Sequence, residues 1–339
     1  MGKRSGVIAA VAFVAAIAAA GVTGQGQWKG AQAPFFACAA GPPATAPLHT
    51  WRELRAPHQI FPYGGAIYYS FVLANGARAH LVVVHMKSGR WQWKPAIVAA
   101  GTAPTSETAV KSTASAATNG GYFNLKESGA STSWVTIDGV TVADPRENRL
   151  LCENPKLKPF LQQIFNRTEV RFAADSKGAS RILIARHNDP LPQGLRLVHA
   201  LGAGPRLLPT VDALDEAFYR TASDGTVTDA INSKREAART VFGTTADGYA
   251  MMLCISGHGQ DPESSGVTLQ QLADTLKSLG CTEAINFDGG ASSTMYVRLG
   301  APGLGKDDMP PAGTVVCGKN PETRVKTVLT LLPRVFQKK

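Results

Sequence analysis

The residues best suited to chemistry lie together in the stretch 283–296, which reads E-A-I-N-F-D-G-G-A-S-S-T-M-Y. A short apolar run of Ala284, Ile285 and Phe287 ends abruptly in Asp288-Gly289-Gly290, and Ser292, Ser293 and Thr294 then add three hydroxyls. A buried strand that ends in a carboxylate and turns on two glycines suits the floor of an active site. Glycine frees the backbone for positive φ, and successive N–H groups in such a turn can form an anion-holding nest. Asp288 is therefore the candidate catalytic carboxylate. Ser292 and Ser293 read as hydrogen-bonding groups, because no G-x-S-x-G elbow makes either a nucleophile. The same Asp-Gly pair at Asp138-Gly139 and Asp247-Gly248 reads as a hairpin turn and nothing more.

The elements that must position Asp288 follow from periodicity. Residues 240–244 and 249–256 read as a hairpin. Leu269, Leu272, Leu276 and Leu279 then share one helical face. Thr268 and Gln271 make a capping-box pattern, and Gly280 stands where a left-handed residue ends the helix. Strand 249–256, helix 269–279 and strand 283–287 form a βαβ unit with an expected right-handed crossover. Asp288 and the loop 257–266 then open on the same sheet edge, where open sheets carry ligands.

Upstream, 66–73 and 80–86 pair across an Asn75-Gly76 turn, and 133–137 and 140–142 across Asp138-Gly139. Short helices are expected at 106–117 and 157–165, and strands at 169–172 and 181–185. Residues 202–208 read as a loop leading into a strand, and 211–235 as a polar flap. The fold class is mixed α/β (α+β): strand-rich sheets with hairpins and at least one βαβ unit. It forms a single compact catalytic domain over 51–335.

With 44% hydrophobic and 18% charged residues the chain can bury a substantial core. Lys3 and Arg4 precede a charge-free run, 7–22, with an Ala18-Ala19-Ala20 exit. That pattern is a secretory signal over 1–20, with an uncleaved membrane anchor as the alternative. A flexible Gly/Ala/Pro tether over 21–50 follows. The body is thus expected to be exported, periplasmic or secreted, and its five cysteines become disulfide candidates. The odd count leaves at least one thiol unpaired in a monomer, and Cys254, inside an apolar run, and Cys281, beside another, also read as simply buried small residues. No C-x-x-C pair supports a metal or redox cluster, and no cofactor is expected. The net charge of +10 is a moderate bias toward anionic partners, without the basic-aromatic block of a nucleic-acid module.

Four motifs in order, N-G-G-Y-F-N (119–124), A-A-R-T-V-F-G (237–243), G-V-T-L-Q-Q-L-A (266–273) and A-I-N-F-D-G-G-A-S-S (284–293), resemble the phosphodiester glycosidase family. The resemblance runs from about Trp51 to about Pro333. It implies hydrolysis of a sugar-1-phosphodiester at the anomeric carbon, releasing free sugar and a phosphomonoester. It also implies that the motifs converge on one pocket. Asn119, Gly120, Gly121 and Phe123 match the first motif, and Arg239 the second. Asp288, Gly289, Gly290, Ser292 and Ser293 match the last, with Ala291 where the family often has a third glycine. Arg324, in N-P-E-T-R-V, is a looser match.

Cleaving an anomeric C–O bond to phosphate needs less general-acid help than an ordinary glycoside, since phosphate leaves readily. What remains is stabilising an oxocarbenium-like centre and delivering water or a nucleophile, which is carboxylate work. Asp288 takes that role, and Arg239 and Arg324 are expected to hold phosphoryl oxygens. Asn119 is expected to contact a sugar hydroxyl or orient water, making Asp288, Arg239 and Asn119 the catalytic set. Gly120, Gly121, Phe123, Gly289, Gly290, Ser292, Ser293 and Arg324 are the expected substrate-binding residues. Glu322 and Asp261 are second-carboxylate candidates by neighbourhood alone. His258 reads as a solvated loop histidine, with a proton shuttle as the alternative. The expected partner is a phosphorylated glycan of an envelope polymer or exopolysaccharide. Rival readings are a non-catalytic protein binding anionic glycans and a phosphodiesterase cleaving P–O.

Overall fold

The computed structural model describes residues 50–56, 58–125, 129–299 and 313–334. The signal, nearly all of the tether and the last five residues fall outside them. No helix among the described residues is long and apolar enough to cross a membrane.

Strands dominate, in two five-stranded sheets, two strand pairs and a central seven-stranded sheet. The central sheet runs, in spatial order, His58–Ile60, Ala66–Val72, Arg78–His85, Tyr249–Ile255, Arg239–Thr245, Cys281–Asn286 and Arg206–Leu208. Its neighbouring strands pair antiparallel throughout. Successive side chains on a strand point to opposite faces, and here both faces are covered. Val82, Val84, Phe242, Met252 and Ile285 join one apolar core, while Leu81, Val83, Val241, Met251, Leu253 and Ala284 join a second. That double burial explains why these strands read as continuous apolar runs. The structure is mixed, mostly strand with few helices, and the described residues form a single compact domain, as expected of the α+β class.

The hairpins expected at Asn75-Gly76, Asp138-Gly139 and Asp247-Gly248 all form. At the second, Asp138 (φ 52°) and Gly139 (φ 79°) both adopt left-handed backbone, as a tight two-residue turn requires. Helix Leu269–Ser278 carries its capping box, and Gly280 takes φ 90°. Leu269, Leu272, Leu276 and Leu279 pack into the second core.

The expected βαβ unit forms, in split form. Strands Tyr249–Ile255 and Cys281–Asn286 are parallel but not adjacent, because Arg239–Thr245 lies between them, antiparallel to both. Their carboxyl ends still open on one edge. The expected helix 106–117 is a seven-residue helix, Thr105–Lys111, followed by the buried strand Ala116–Asn119. The polar flap includes a small hairpin, Tyr219–Thr221 with Val227–Asp229. Strand Leu195–Gly202, largely outside the expected elements, pairs with Thr168–Asp175 and brings Gly202 to the site.

Candidate active site

Four distant segments meet where strand Cys281–Asn286 ends. The Asp288 N–H donates to the Gly120 carbonyl at 3.0 Å, Phe287 N–H to Thr240 at 2.8 Å, and Gly290 N–H to Ala238 at 2.8 Å. Gln260 in the loop 257–266 donates through Nε2 to the carbonyls of Gly290 (3.1 Å) and Ser293 (2.8 Å). The motifs around positions 119, 239 and 288 therefore share one locus.

Asp288 leads the turn that follows this strand. Part of the residue is solvent-accessible, but protein crowds its carboxyl. That burial pushes its pKa up to about 6, against the downward pull of hydrogen bonds from the Ser292 hydroxyl and the Gly289 N–H. A carboxylate raised toward neutrality by burial is a functional-site candidate. The turn behind it needs both glycines for different reasons. Gly290 has φ 60°, whereas Gly289 is extended, and a Cβ there would sit 3.1 Å from the Ala238 carbonyl. Positive φ is thus confined to one of the two.

Asn119 and Arg239 are at the site, with their polar atoms committed to its frame. The Asn119 amide donates to the Asp288 carbonyl at 2.7 Å; its oxygen accepts from Thr240 Oγ1 (2.8 Å) and Thr294 N–H (3.0 Å). Arg239, 1% exposed, donates to four backbone carbonyls: Val267 (3.0 Å), Ile231 (2.9 Å), Asn232 (2.8 Å) and Arg235 (3.0 Å). Its Nη1 flanks the turn, 3.8 Å from where a Gly289 Cβ would lie. Gly120 and Gly121 serve close packing. A Cβ on Gly121 would fall 2.2 Å from the Gly202 carbonyl, and one on Gly120 2.7 Å from Thr327 Oγ1. Ser292 and Ser293 are buried beneath the turn.

Two of the expected binding residues contact other segments. Phe123 bridges to Ser131 and packs on the small cluster of Ala109, Tyr296 and Val325. Arg324 is exposed and donates to the Thr102 carbonyl at 2.5 Å. Asp261 is paired with Arg78 at 2.8 Å, and Glu322 accepts from the Ser106 N–H at 3.1 Å. His258 is exposed. Among the described residues no group of three His, Cys, Asp or Glu side chains could hold a metal ion.

The geometry adds two residues. Tyr122, inside N-G-G-Y-F-N, donates its hydroxyl to the Gly204 carbonyl at 2.9 Å and accepts from Asn286 Nδ2 at 2.9 Å. Burial and then the Asp288 charge push its pKa well up, so it stays protonated. Arg167 donates through Nε to the Glu216 carbonyl (2.9 Å) and through Nη2 to Ala217 (3.4 Å), with its guanidinium 3.7 Å over the Phe218 ring. Burial lowers its pKa to about 10, while the nearby Tyr122 and Glu216 raise it, so it remains a cation. The fully buried Glu216 carboxylate holds this wall by accepting from Thr168 N–H (2.9 Å), Thr168 Oγ1 (2.7 Å) and Arg206 N–H (2.8 Å). Tyr122 could have been singled out as the aromatic between two motif glycines and Phe123. Arg167 had no local signal beyond N-R-T.

Two adjoining cavities of about 540 and 620 Å³ open elsewhere, at the far end of the same central strands. They share Met86, Trp91, Arg181 and Arg334, and none of the motif residues named above lines either. The family motifs meet instead at the Asp288 edge, with Arg239 behind the turn.

A fold of antiparallel strands around a carboxylate edge, with these motifs at that edge, defines a class. The family model for phosphodiester glycosidase matches residues 112–331, and the chain belongs to that family. Among solved structures, the catalytic domain of zebrafish N-acetylglucosamine-1-phosphodiester alpha-N-acetylglucosaminidase, auto-inhibited by its pro-peptide, is similar at 17% identity. Its TM-score is 0.53, over 82% of this chain and 88% of that one. A Synechocystis protein of undefined function is similar at 15% identity and TM-score 0.51, over 80% of this chain. The match spans 62% of the Synechocystis chain. A Burkholderia pseudomallei protein described as exported is similar at 16% identity and TM-score 0.52, over 76% of this chain and 74% of that one. No curated protein matches the sequence.

Proposed function

We propose that the protein is an exported glycosidase that hydrolyses a sugar-1-phosphodiester, such as a GlcNAc-α-1-phosphodiester, at the anomeric C–O bond. The products are free sugar and a phosphomonoester. The observation that carries this reading is the half-buried Asp288 carboxylate, with its pKa raised to about 6, whose charge acts on the Tyr122 hydroxyl where the family motifs meet. Above that pH the ionised carboxylate stabilises positive charge developing at the anomeric carbon and accepts a proton from attacking water.

Arg167 takes the phosphate-holding role expected of Arg239 and Arg324. Its Nε and Nη2 each make one backbone bond, leaving Nη1 for phosphoryl oxygens. Arg239 and Asn119 position: one ties four carbonyls behind the turn, the other holds the Asp288 backbone. Export, and a glycan of the envelope or an exopolysaccharide as substrate, rest on the N-terminal pattern and on the exported Burkholderia neighbour.

Incubation with a GlcNAc-α-1-phosphodiester tests the proposal. Free GlcNAc and phosphomonoester should appear in equal amounts, and Asp288→Asn should reduce the rate by three orders of magnitude or so, about 4 kcal/mol. No release of sugar from any glycosyl phosphodiester, or full turnover by Asp288→Asn, would contradict it.

A further inference from the structure

Two thiols from distant segments meet in the wall behind the active-site turn. Cys254 lies in the central strand Tyr249–Ile255, and Cys317 ends the strand Thr314–Cys317. Both are buried, 0% and 3% exposed, and their sulfurs are 2.8 Å apart. Thiol sulfur is a weak donor and a weak acceptor, so an S–H···S hydrogen bond does not draw two sulfurs so close. A disulfide does, at about 2.05 Å. The other described cysteines have different surroundings. Cys281 Sγ faces Met251 Sδ at 3.6 Å, and the Cys152 thiol donates to the Arg146 carbonyl at 3.1 Å near the surface.

We infer that Cys254 and Cys317 are joined by a disulfide in the mature protein, a cross-link that braces the wall of the Asp288 site. The neighbourhood gives the bond its consequence. Cys317 pairs in register with Met295, just after the active-site turn. Its Sγ also lies 3.8 Å from Gln260 Oε1, and the Gln260 amide holds Gly290 and Ser293. The cross-link therefore ties a core strand to both flanks of the turn.

Forming the bond removes two protons and two electrons from the thiol pair. A dithiol–disulfide exchange catalyst or glutathione disulfide accepts them and is itself reduced to two thiols. The first cysteine attacks the donor disulfide to give a mixed disulfide; the second attacks that and expels the donor's thiol. In the folded protein burial pushes the Cys254 thiol far up, which disfavours its thiolate. The exchange therefore belongs to folding, before the pair is covered. An oxidising compartment supplies the donor, in keeping with export, and the inference stands apart from the identity of the substrate.

The test uses the full chain, denatured, reduced and refolded with a glutathione redox pair. It is then denatured again and alkylated with and without prior reduction. Without reduction the protein should carry two alkyl groups fewer, and a protease digest should contain one cross-linked species joining the Cys254 and Cys317 peptides. The cross-link should also raise Tm by several degrees, an increase that disappears on reduction and in the Cys254→Ala/Cys317→Ala variant. Complete alkylation of both cysteines without reduction, or either one joined to a different cysteine, would overturn the pairing. Loss of hydrolase activity in any substrate assay leaves this result unaffected.

Discussion

At the scale of single residues the account turns on one carboxylate kept partly out of water. Burial raises the Asp288 pKa to about 6, so hydrolysis that needs its ionised form should rise with pH through about 6 and then level off. A rate flat between pH 5 and 7 would contradict that. The same shift makes a stability statement. Between about pH 4 and 6 the folded state binds the proton that the unfolded chain has released, so this residue's contribution falls as pH rises through that window. Above pH 6 the ionised group costs on the order of 3 kcal/mol, at 1.36 per pKa unit. Asp288→Asn should therefore raise Tm at pH 7.5 and leave it unchanged below pH 4, while lowering the rate about a thousandfold; thermal melts at both pH values check this.

The two arginines separate by the same reasoning. Arg239→Ala leaves four buried carbonyls without their donor and should cost ~3 kcal/mol or more. Arg167→Ala should lower kcat on the order of a hundredfold with a smaller loss of stability. Urea melts beside steady-state kinetics distinguish them. An Arg239→Ala protein of native stability, or a fully active Arg167→Ala, would reverse the assignment. Asp288 was readable from the chain because an apolar run, a carboxylate and two glycines are contiguous. The burial of Arg239 by carbonyls was not, since Ile231, Asn232, Arg235 and Val267 carry no side-chain signal for that job. Arg167 is held by the Glu216 and Ala217 carbonyls, about fifty residues further on, which no local pattern announces.

At the scale of elements, the site is made where strand ends meet with no room for side chains. Gly121 lies against the Gly202 carbonyl and Gly289 against the Ala238 carbonyl. Gly121→Ala should therefore destabilise by about 3 kcal/mol or more, because backbone meets backbone and neither has a flexible end to move. Circular dichroism melts measure it, and an unchanged Tm would show that the strand ends separate easily. The hairpins and the capped helix could be read from local chemistry: Asn-Gly and Asp-Gly turns, a Thr268–Gln271 box, a leucine face. Strand order could not. The βαβ pattern over 249–287 carries no signal that a third strand lies between its two strands. The strand Arg239–Thr245 fits between them because it is apolar on both faces and pairs with each.

At the scale of the molecule, a sheet covered on both faces leaves its edges and strand ends for function. Four motifs separated by up to about 165 residues converge there, which explains why each alone looked like an ordinary turn. The family assignment, over residues 112–331, agrees with that convergence, while similarities of 15–17% identity speak only to the fold. The central claim is attack at the anomeric carbon. Hydrolysis of a glycosyl phosphodiester in oxygen-18 water, read by mass spectrometry of both products, tests it most directly. The label should enter the released sugar and leave the phosphomonoester unlabelled. Label in the phosphate would place the broken bond at phosphorus and contradict the mechanism.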